Sequence, residues 1–328
     1  MDASFGIACG LTGSVCWGLL DSCATLASRR VGTLVTSTGM QVAALIPLVV
    51  LCVVTGQPIP TAGPLVAQAL CMGLISAVGY LLTYEAFRLG PIAVVSPVIA
   101  AYGGLSVVLA ILLLGELVRP LQACGVVAAT IGIALSAVVL DPQWRRSHPV
   151  GRGVPFAVGA FVIWAVTVVG FATPIRELGW LPTLTISRSA STVALLFVGA
   201  ASLVKSRLAK HRHPAGDMIV GGSTARVPSD LPVRNDGSIY APRRGWLVPV
   251  DRTAVILIVT MGWLDVLGFS VWSVGLAATA AWLVGITGSL GPIVTVTFGL
   301  VVLGERLRPN QWLGVGGILA GIILIAAA

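Results

Sequence analysis

An eight-residue phrase is written twice in this chain. Gly115-Glu116-Leu117-Val118-Arg119-Pro120-Leu121-Gln122 returns 189 positions later as Gly304-Glu305-Arg306-Leu307-Arg308-Pro309-Asn310-Gln311. Each copy stands between two apolar runs long enough to cross the hydrocarbon of a bilayer, which takes roughly 20 residues. Backbone at that depth must satisfy its own hydrogen bonds, so such runs fold as helices. A phrase that joins two of them twice over marks a duplicated helical bundle.

Composition agrees. Soluble domains are roughly half apolar and about a quarter charged, whereas this chain of 328 residues is 56% hydrophobic and 10% charged, with mean hydropathy +0.98. Its length therefore counts helices instead of soluble domains. The expected spans lie near 5–27, 32–54, 64–87, 91–114 and 120–140, then 153–174, 181–204, 253–275, 279–303 and 309–327. The fold class expected is an all-α integral membrane protein of ten transmembrane helices, arranged as two five-helix repeats, 1–147 and 148–328.

The two halves align beyond the opening phrase. Gly125, Gly132 and Leu135 match Gly314, Gly321 and Leu324, and Gly79-Tyr80 matches Gly268-Phe269, all at the offset of 189; upstream, at an offset of 147, Trp17 matches Trp164 and Gln41 matches Arg188. The offsets differ mainly because the second half carries a 47-residue polar loop, Lys205 to Asp251. Its Pro, Gly, Ser and scattered charge read as disorder, with a cytoplasmic lid or anionic-lipid contact through Lys205, Arg207, Lys210 and Arg212 as the alternative. Five helices per half is odd, so the second repeat enters the membrane from the opposite side and the pair is inverted.

Charge sets the orientation. Of 20 basic residues, 17 fall in the odd-numbered links between spans, leaving Arg119, Arg176 and Arg188 elsewhere. By the positive-inside rule the crowded face is cytoplasmic and both termini lie outside. The formal charge of +8 is thus a topology signal, and no nucleic-acid partner is expected. Asp2 stands where a cleaved signal peptide would be basic, so the first apolar run is expected to stay as a helix.

Metals and cofactors are not expected. Cys9, Cys16 and Cys23 line one helix face seven residues apart, a spacing of about 10 Å that is too long to share one ion. With Cys52, Cys71 and Cys124 they read as small apolar groups inside helices, without disulfides. His211 and His213 lack a supporting cluster of cysteine or carboxylate ligands.

The paired Gly-Glu-x-x-x-Pro signatures and the two-times-five arrangement resemble the EamA group of the drug/metabolite transporter superfamily, over nearly the whole chain. That resemblance implies a carrier of small organic solutes, often an exporter of amino acids or other metabolites, in the cell membrane, with a central cavity between the halves. The partners expected are a small-molecule substrate and the lipid bilayer, and a homodimer is left open. The long link between spans 7 and 8 departs from the usual pattern.

The signature itself reads as scaffold. Gly115 and Gly304 suit helix ends, Pro120 and Pro309 suit a first helical turn, and Glu and Arg three apart can pair in the turn. Gly317 with Gly321, and Gly125 with Ala129, should let spans 10 and 5 approach neighbours closely.

Chemistry is better sought in charges within the spans, each costing about 2.5 to 3.5 kcal/mol at a helix centre on insertion scales. There are four: Asp21, Glu85, Arg188 and Asp265. Asp265, Phe269 and Trp272 share one helix face, and read either as a cavity wall or as an acid bonded between helices. Trp17 and Asp21 share another, with Trp164 at the counterpart of Trp17, framing a cavity or anchoring at an interface. Tyr80 and Tyr84 lie together on span 3, while Glu85 is three residues from Arg88 and can pair with it. Substrate contacts are accordingly expected from Trp17, Asp21, Gln41, Tyr80, Tyr84, Trp164, Arg188, Asp265, Phe269 and Trp272. Asp265, with Asp21, would couple transport to protons or meet a substrate amine, and Arg188 would receive a carboxylate. A zwitterionic amino acid suits both.

Other classes fit less well. Asp21 and Asp265 supply two aspartates, but Gly262-Trp263-Leu264-Asp265 lacks the Gly-x-Gly-Asp pattern of intramembrane aspartyl proteases. No His-Glu-x-x-His occurs, and no channel filter is present. The chain reads as a carrier and not an enzyme, with drug or sugar-type solutes, or lipid-linked-sugar flipping, as alternative cargo.

Overall fold

The structure, a computed structural model, describes residues 3–102, 105, 109, 120–137, 150–212, 250–278, 291–307 and 309–326. Among them are ten helices and no strand: α1 (Ala3–Val31), α2 (Thr33–Thr55), α3 (Pro64–Leu89), α4 (Ile92–Ala100), α5 (Pro120–Ala137), α6 (Val150–Leu178), α7 (Trp180–Arg212), α8 (Arg252–Ala278), α9 (Gly291–Val301) and α10 (Pro309–Ala326). Six, namely α1, α2, α3, α6, α7 and α8, are long and apolar enough to cross a membrane. Helices α4 and α9 lie inside the spans expected at 91–114 and 279–303, the rest of which falls largely outside the described residues.

Local sequence explains where helices stop. Gly32 (φ +85°) separates α1 from α2, and Gly179 (φ +88°) separates α6 from α7, in left-handed conformations that cost a side-chain-bearing residue about 1 kcal/mol or more. Pro120 and Pro309 each open a helix, as the signature requires. Gly304 (φ +64°) turns the chain after α9. One boundary differs from expectation: α7 continues as helix through Lys205–Arg212, the first eight residues of the supposed loop, because no glycine or proline interrupts it before His213. Residues 213–249 lie outside the described residues.

Helix partners repeat. Helix α1 packs on α8 and α3 on α6; α2 packs on α8 and α3 on α7; α1 packs on α9 and α4 on α6. Three further pairs join elements at matching places in the two halves: α2 with α7, α4 with α9, and α5 with α10. Small residues permit these approaches. A Cβ on Gly73 of α3 would stand 2.3 Å from the Ser187 carbonyl oxygen on α7, and one on Gly262, its counterpart on α8, would stand 2.7 Å from the Ala44 nitrogen on α2. Between α5 and α10, Gly132 leaves 2.6 Å between its missing Cβ and the Gly314 oxygen, and Gly317 packs against Gly132. Outward faces stay apolar: Ile46, Val50, Val53 and Val54 of α2, and Val193 and Phe197 of α7, are exposed, as lipid contact demands.

One end of the bundle gathers charge. Glu85 accepts from Arg88 Nε at 2.8 Å and from Thr33 Oγ1, so its local pairing is as expected. Arg30 pairs with Asp251 at 3.0 Å. Glu305 reaches beyond its own turn. Its two carboxylate oxygens accept the Ile92 and Ala93 backbone N–H groups, each at 3.0 Å, capping the first turn of α4 in the other half. Arg29 donates to the Phe87 and Gly90 carbonyls at 3.2 and 2.9 Å and approaches Glu305 at 3.5 Å. A carboxylate at a helix N-terminus satisfies otherwise orphaned donors and meets the positive end of the helix dipole, which explains why Glu305 reaches across to α4. Arg308, and Gly115 through Arg119 of the first copy, lie outside the described residues.

Candidate functional site

The centre of the site is built by α2, α3, α7 and α8. Arg188 of α7 donates from Nη1 to Gln41 Oε1 and from Nη2 to both Tyr80 Oη and Asp265 Oδ2, each at 2.7 Å. Arg188 and Asp265 are buried, at 8% and 6% exposure, and form the only ion pair among the described residues whose two side chains are both under 10% exposed. Two charges this far from water are sustained only when geometry and additional hydrogen bonds repay desolvation. Gln41 and Tyr80 supply those bonds. Arg188 Cζ also lies 4.9 Å from the centre of the Tyr80 ring.

Helix α7 tolerates this polarity because five of its hydroxyls are partnered locally. Thr183, Thr185, Ser187, Ser189 and Ser191 each donate to a carbonyl three or four residues earlier, a back-bond that removes the need for an outside partner. Arg188 is left as the group that must reach across the bundle.

Two aromatic groups flank the ion pair. On one side Tyr80 meets Trp164 edge-on at 4.8 Å and Tyr84 at 5.8 Å, while Trp164 Nε1 donates to Thr83 Oγ1 at 2.9 Å. On the other, Trp17 meets Phe269 edge-on at 6.4 Å and Trp272 at 6.4 Å, and Phe269 and Trp272 are 5.8 Å apart. Asp21 lies one turn beyond Trp17 on α1, partly exposed and near enough to Asp265 for charge to act on charge. Its side chain makes no hydrogen bond or ion pair among the described residues, while its carbonyl accepts from Thr25 Oγ1 at 2.9 Å.

All ten residues singled out in the sequence are thus described. Four form a single hydrogen-bonded cluster, Gln41, Tyr80, Arg188 and Asp265; Tyr84 and Trp164 pack on it through Tyr80; Trp17, Phe269 and Trp272 form the second aromatic group; and Asp21 stands on the same helix as Trp17. Sequence reasoning missed Thr83, and it missed a set of buried polar atoms without a partner: Ser37 Oγ, Thr38 Oγ1, Gln41 Nε2, Ser76 Oγ, Tyr84 Oη and Thr192 Oγ1. The signal was available. Ser37, Ser76 and Thr192 stand four residues from Gln41, Tyr80 and Arg188, on the same helix faces. Buried polar groups are ordinarily satisfied, and orphans on the helix faces that carry Gln41, Tyr80 and Arg188 are what solvent or a polar ligand would complete.

Among the described residues no group of His, Cys, Asp and Glu could hold a metal ion. The arrangement can instead bind: one guanidinium, two carboxylates, unfilled donors and acceptors, and rings to exclude water.

Known proteins agree with this architecture. The EamA-like transporter family matches residues 4–138 and 236–327. Protein RarD of Streptomyces exfoliatus is 30% identical over 107 residues, a stretch covering 27% of this chain and 34% of that protein. The match therefore spans about a third of that relative's length. A solved crystal structure with 16% identity superposes with a TM-score of 0.57 over 98% of this chain and 96% of the other, a likeness of fold. With its family match extending across both halves, and with several helices long and apolar enough to span a bilayer, the chain is a multi-pass membrane protein that belongs to the EamA-like transporter family.

Proposed function

We propose that the chain is a secondary carrier that exports an amino acid or a similar small organic metabolite across the cell membrane by alternating access. In this reading ten helices form two inverted repeats, 1–147 and 148–328, and rock about the site described above, with both termini outside. The observation that carries the proposal is the Gln41–Arg188 hydrogen bond. These residues occupy matching positions, 147 apart, and they meet between α2 and α7 beside the Asp265 ion pair. A binding site at the interface of two related halves is where rocking exposes a solute first to one side and then to the other.

The exchange of helix partners supports the same reading, since α1 on α8 corresponds to α6 on α3 when the halves are swapped. So does the charged end of the bundle, where Arg29, Arg30, Arg88, Asp251 and Glu305 from odd-numbered links collect with Glu85 of α3. Proton coupling through Asp265 and Asp21 belongs to the proposal. A carrier is favoured over an aspartyl protease because Asp265 is engaged by Arg188 instead of sharing a proton with Asp21.

Counterflow in proteoliposomes tests this. Vesicles loaded with an unlabelled solute panel should accumulate labelled external solute transiently, and Asp265→Asn should change both rate and pH dependence. Absence of counterflow for every solute of the panel would remove the carrier reading, and an Asp265→Asn variant with wild-type rate and pH profile would remove the coupling role.

A further inference from the structure

We infer that the solute this site accepts carries a net positive charge, an amine whose ammonium sits against Asp21 beside the aromatic wall of Trp17, Phe269 and Trp272. The inference rests on the proposed carrier reading and names the charge class of its cargo.

The charge count is closed by the sequence. Within the ten expected spans the only Asp, Glu, Lys or Arg residues are Asp21, Glu85, Arg188 and Asp265, and residues 103–115 and 279–290 contribute none. The structure cancels Glu85 against Arg88 near the end of α3, and Arg188 against Asp265 in the interior. Asp21 is what remains. The interior therefore holds two carboxyl groups to one guanidinium, and the one left without a counter-charge is the partly exposed Asp21 side chain, which makes no hydrogen bond or ion pair among the described residues.

Each class of solute meets that arrangement differently. A carboxylate without an amine can reach a counter-charge only by taking Arg188 from Asp265, which leaves both Asp21 and Asp265 unpaired in a medium of low dielectric. A zwitterion takes Arg188 and returns an ammonium, so the excess negative charge persists. An amine without a carboxylate, or a molecule with two ammonium groups and one carboxylate, supplies the missing charge and leaves the Arg188–Asp265–Gln41–Tyr80 cluster intact. Trp17 lies one helical turn from Asp21 and touches Phe269 and Trp272, and ring faces attract ammonium groups most strongly where water is excluded. Tyr84 Oη and Gln41 Nε2, both buried and unpartnered, are available to the polar remainder of the solute.

Two matched series of solutes test the inference on the full-length chain in proteoliposomes: phenylethylamine, phenylalanine and 3-phenylpropionate, then cadaverine, lysine and 6-aminohexanoate. Counterflow should be fastest for phenylethylamine, cadaverine and lysine, exceeding 3-phenylpropionate by about tenfold or more. Asp21→Asn should lower amine exchange by a similar factor, and Asp21→Glu should restore part of it. Phenylethylamine should raise the melting temperature of the purified wild-type protein but not of Asp21→Asn, a binding readout that needs no transport. Fast exchange of the anion or zwitterion with amines excluded overturns the inference while leaving the carrier reading in place. Unchanged amine exchange and an unchanged thermal response to phenylethylamine in Asp21→Asn also overturn it, whatever the variant's response to a pH gradient. Failure of all solutes to exchange, with no thermal effect of phenylethylamine, overturns both.

Discussion

The α3–α6 joint and the α1–α8 joint are built on one plan and finished differently. Each sets a tryptophan against a ring that follows a glycine: Trp164 against Tyr80 at 4.8 Å, Trp17 against Phe269 at 6.4 Å. Each glycine makes room, since a Cβ on Gly79 would meet Trp164 at 3.4 Å and one on Gly268 would meet Trp17 at 3.3 Å. At the next turn they diverge. Thr83 receives the Trp164 N–H, whereas its counterpart 189 residues on is Trp272, a third ring. Ser76 likewise corresponds to Asp265, and Asp21 corresponds to Val168. The first joint is closed by a hydrogen bond, and the second carries the acids. Similar packing with dissimilar chemistry indicates which positions hold the bundle together and which are free to define a ligand.

The ion pair that lies between the joints should be the most sensitive point. Arg188→Leu leaves Asp265 buried without its partner, a change that costs about 3 to 5 kcal/mol. Thermal unfolding in detergent should report it, and Arg188→Leu combined with Asp265→Leu should recover part of the loss. Next come the glycines by which α3 and α8, one helix of each joint, seat on α7 and α2. Gly73→Ala and Gly262→Ala each place a Cβ against backbone of the facing helix, for about 1 to 3 kcal/mol of overpacking, and equal effects in the two variants would support equivalent joints. Trp164→Phe removes one hydrogen bond, about 1 kcal/mol, while Trp17→Phe removes none described here, so the first should be the more destabilising. A reversed order would mean that Trp17, not Trp164, is the fixed point. The smallest effect is expected at the end of the bundle, where Glu305→Gln weakens a charge–dipole contact of about 0.3 to 1 kcal/mol at α4, measurable by chemical denaturation.

Much of this was legible in the sequence because membrane helices are coded by long-wavelength signals. The apolar runs, the glycines at helix ends and the offsets of 147 and 189 located α1, α2, α3, α6 and α8, and the start of α7, within a few residues. The deep charges are so few that a meeting between some of them was to be expected, and Arg188 and Asp265 do meet. What the sequence could not supply was partner choice. The depth of Asp265 reads either as a proton or substrate site or as an acid bonded between helices, and the structure pairs it with Arg188, 77 positions away, a contact for which no local pattern exists. Glu305 was hidden for the same reason: its spacing to Arg308 suggested a turn pair, yet the donors it satisfies belong to residues more than 200 positions earlier. The helical extension through Arg212 was obscured by charge, since a polar composition looked like disorder where helix-forming Lys and Arg simply continued α7.

The meeting of Gln41 with Arg188 has a further consequence, for ancestry. In an assembly of two identical half-length chains, any residue at a position that meets its own counterpart must meet itself. Arginine would then oppose arginine, two cations with no room for a shared acid, and glutamine would oppose glutamine, leaving Asp265 unanswered. Only when both copies are joined in one polypeptide can the two positions be inherited separately, so that one becomes a charge and the other its neutral acceptor. On the proposed reading of the chain as two joined repeats, the Gln41–Arg188 contact is a trait that fusion made available, and a search for dimeric half-length relatives should find that position occupied by residues able to tolerate themselves.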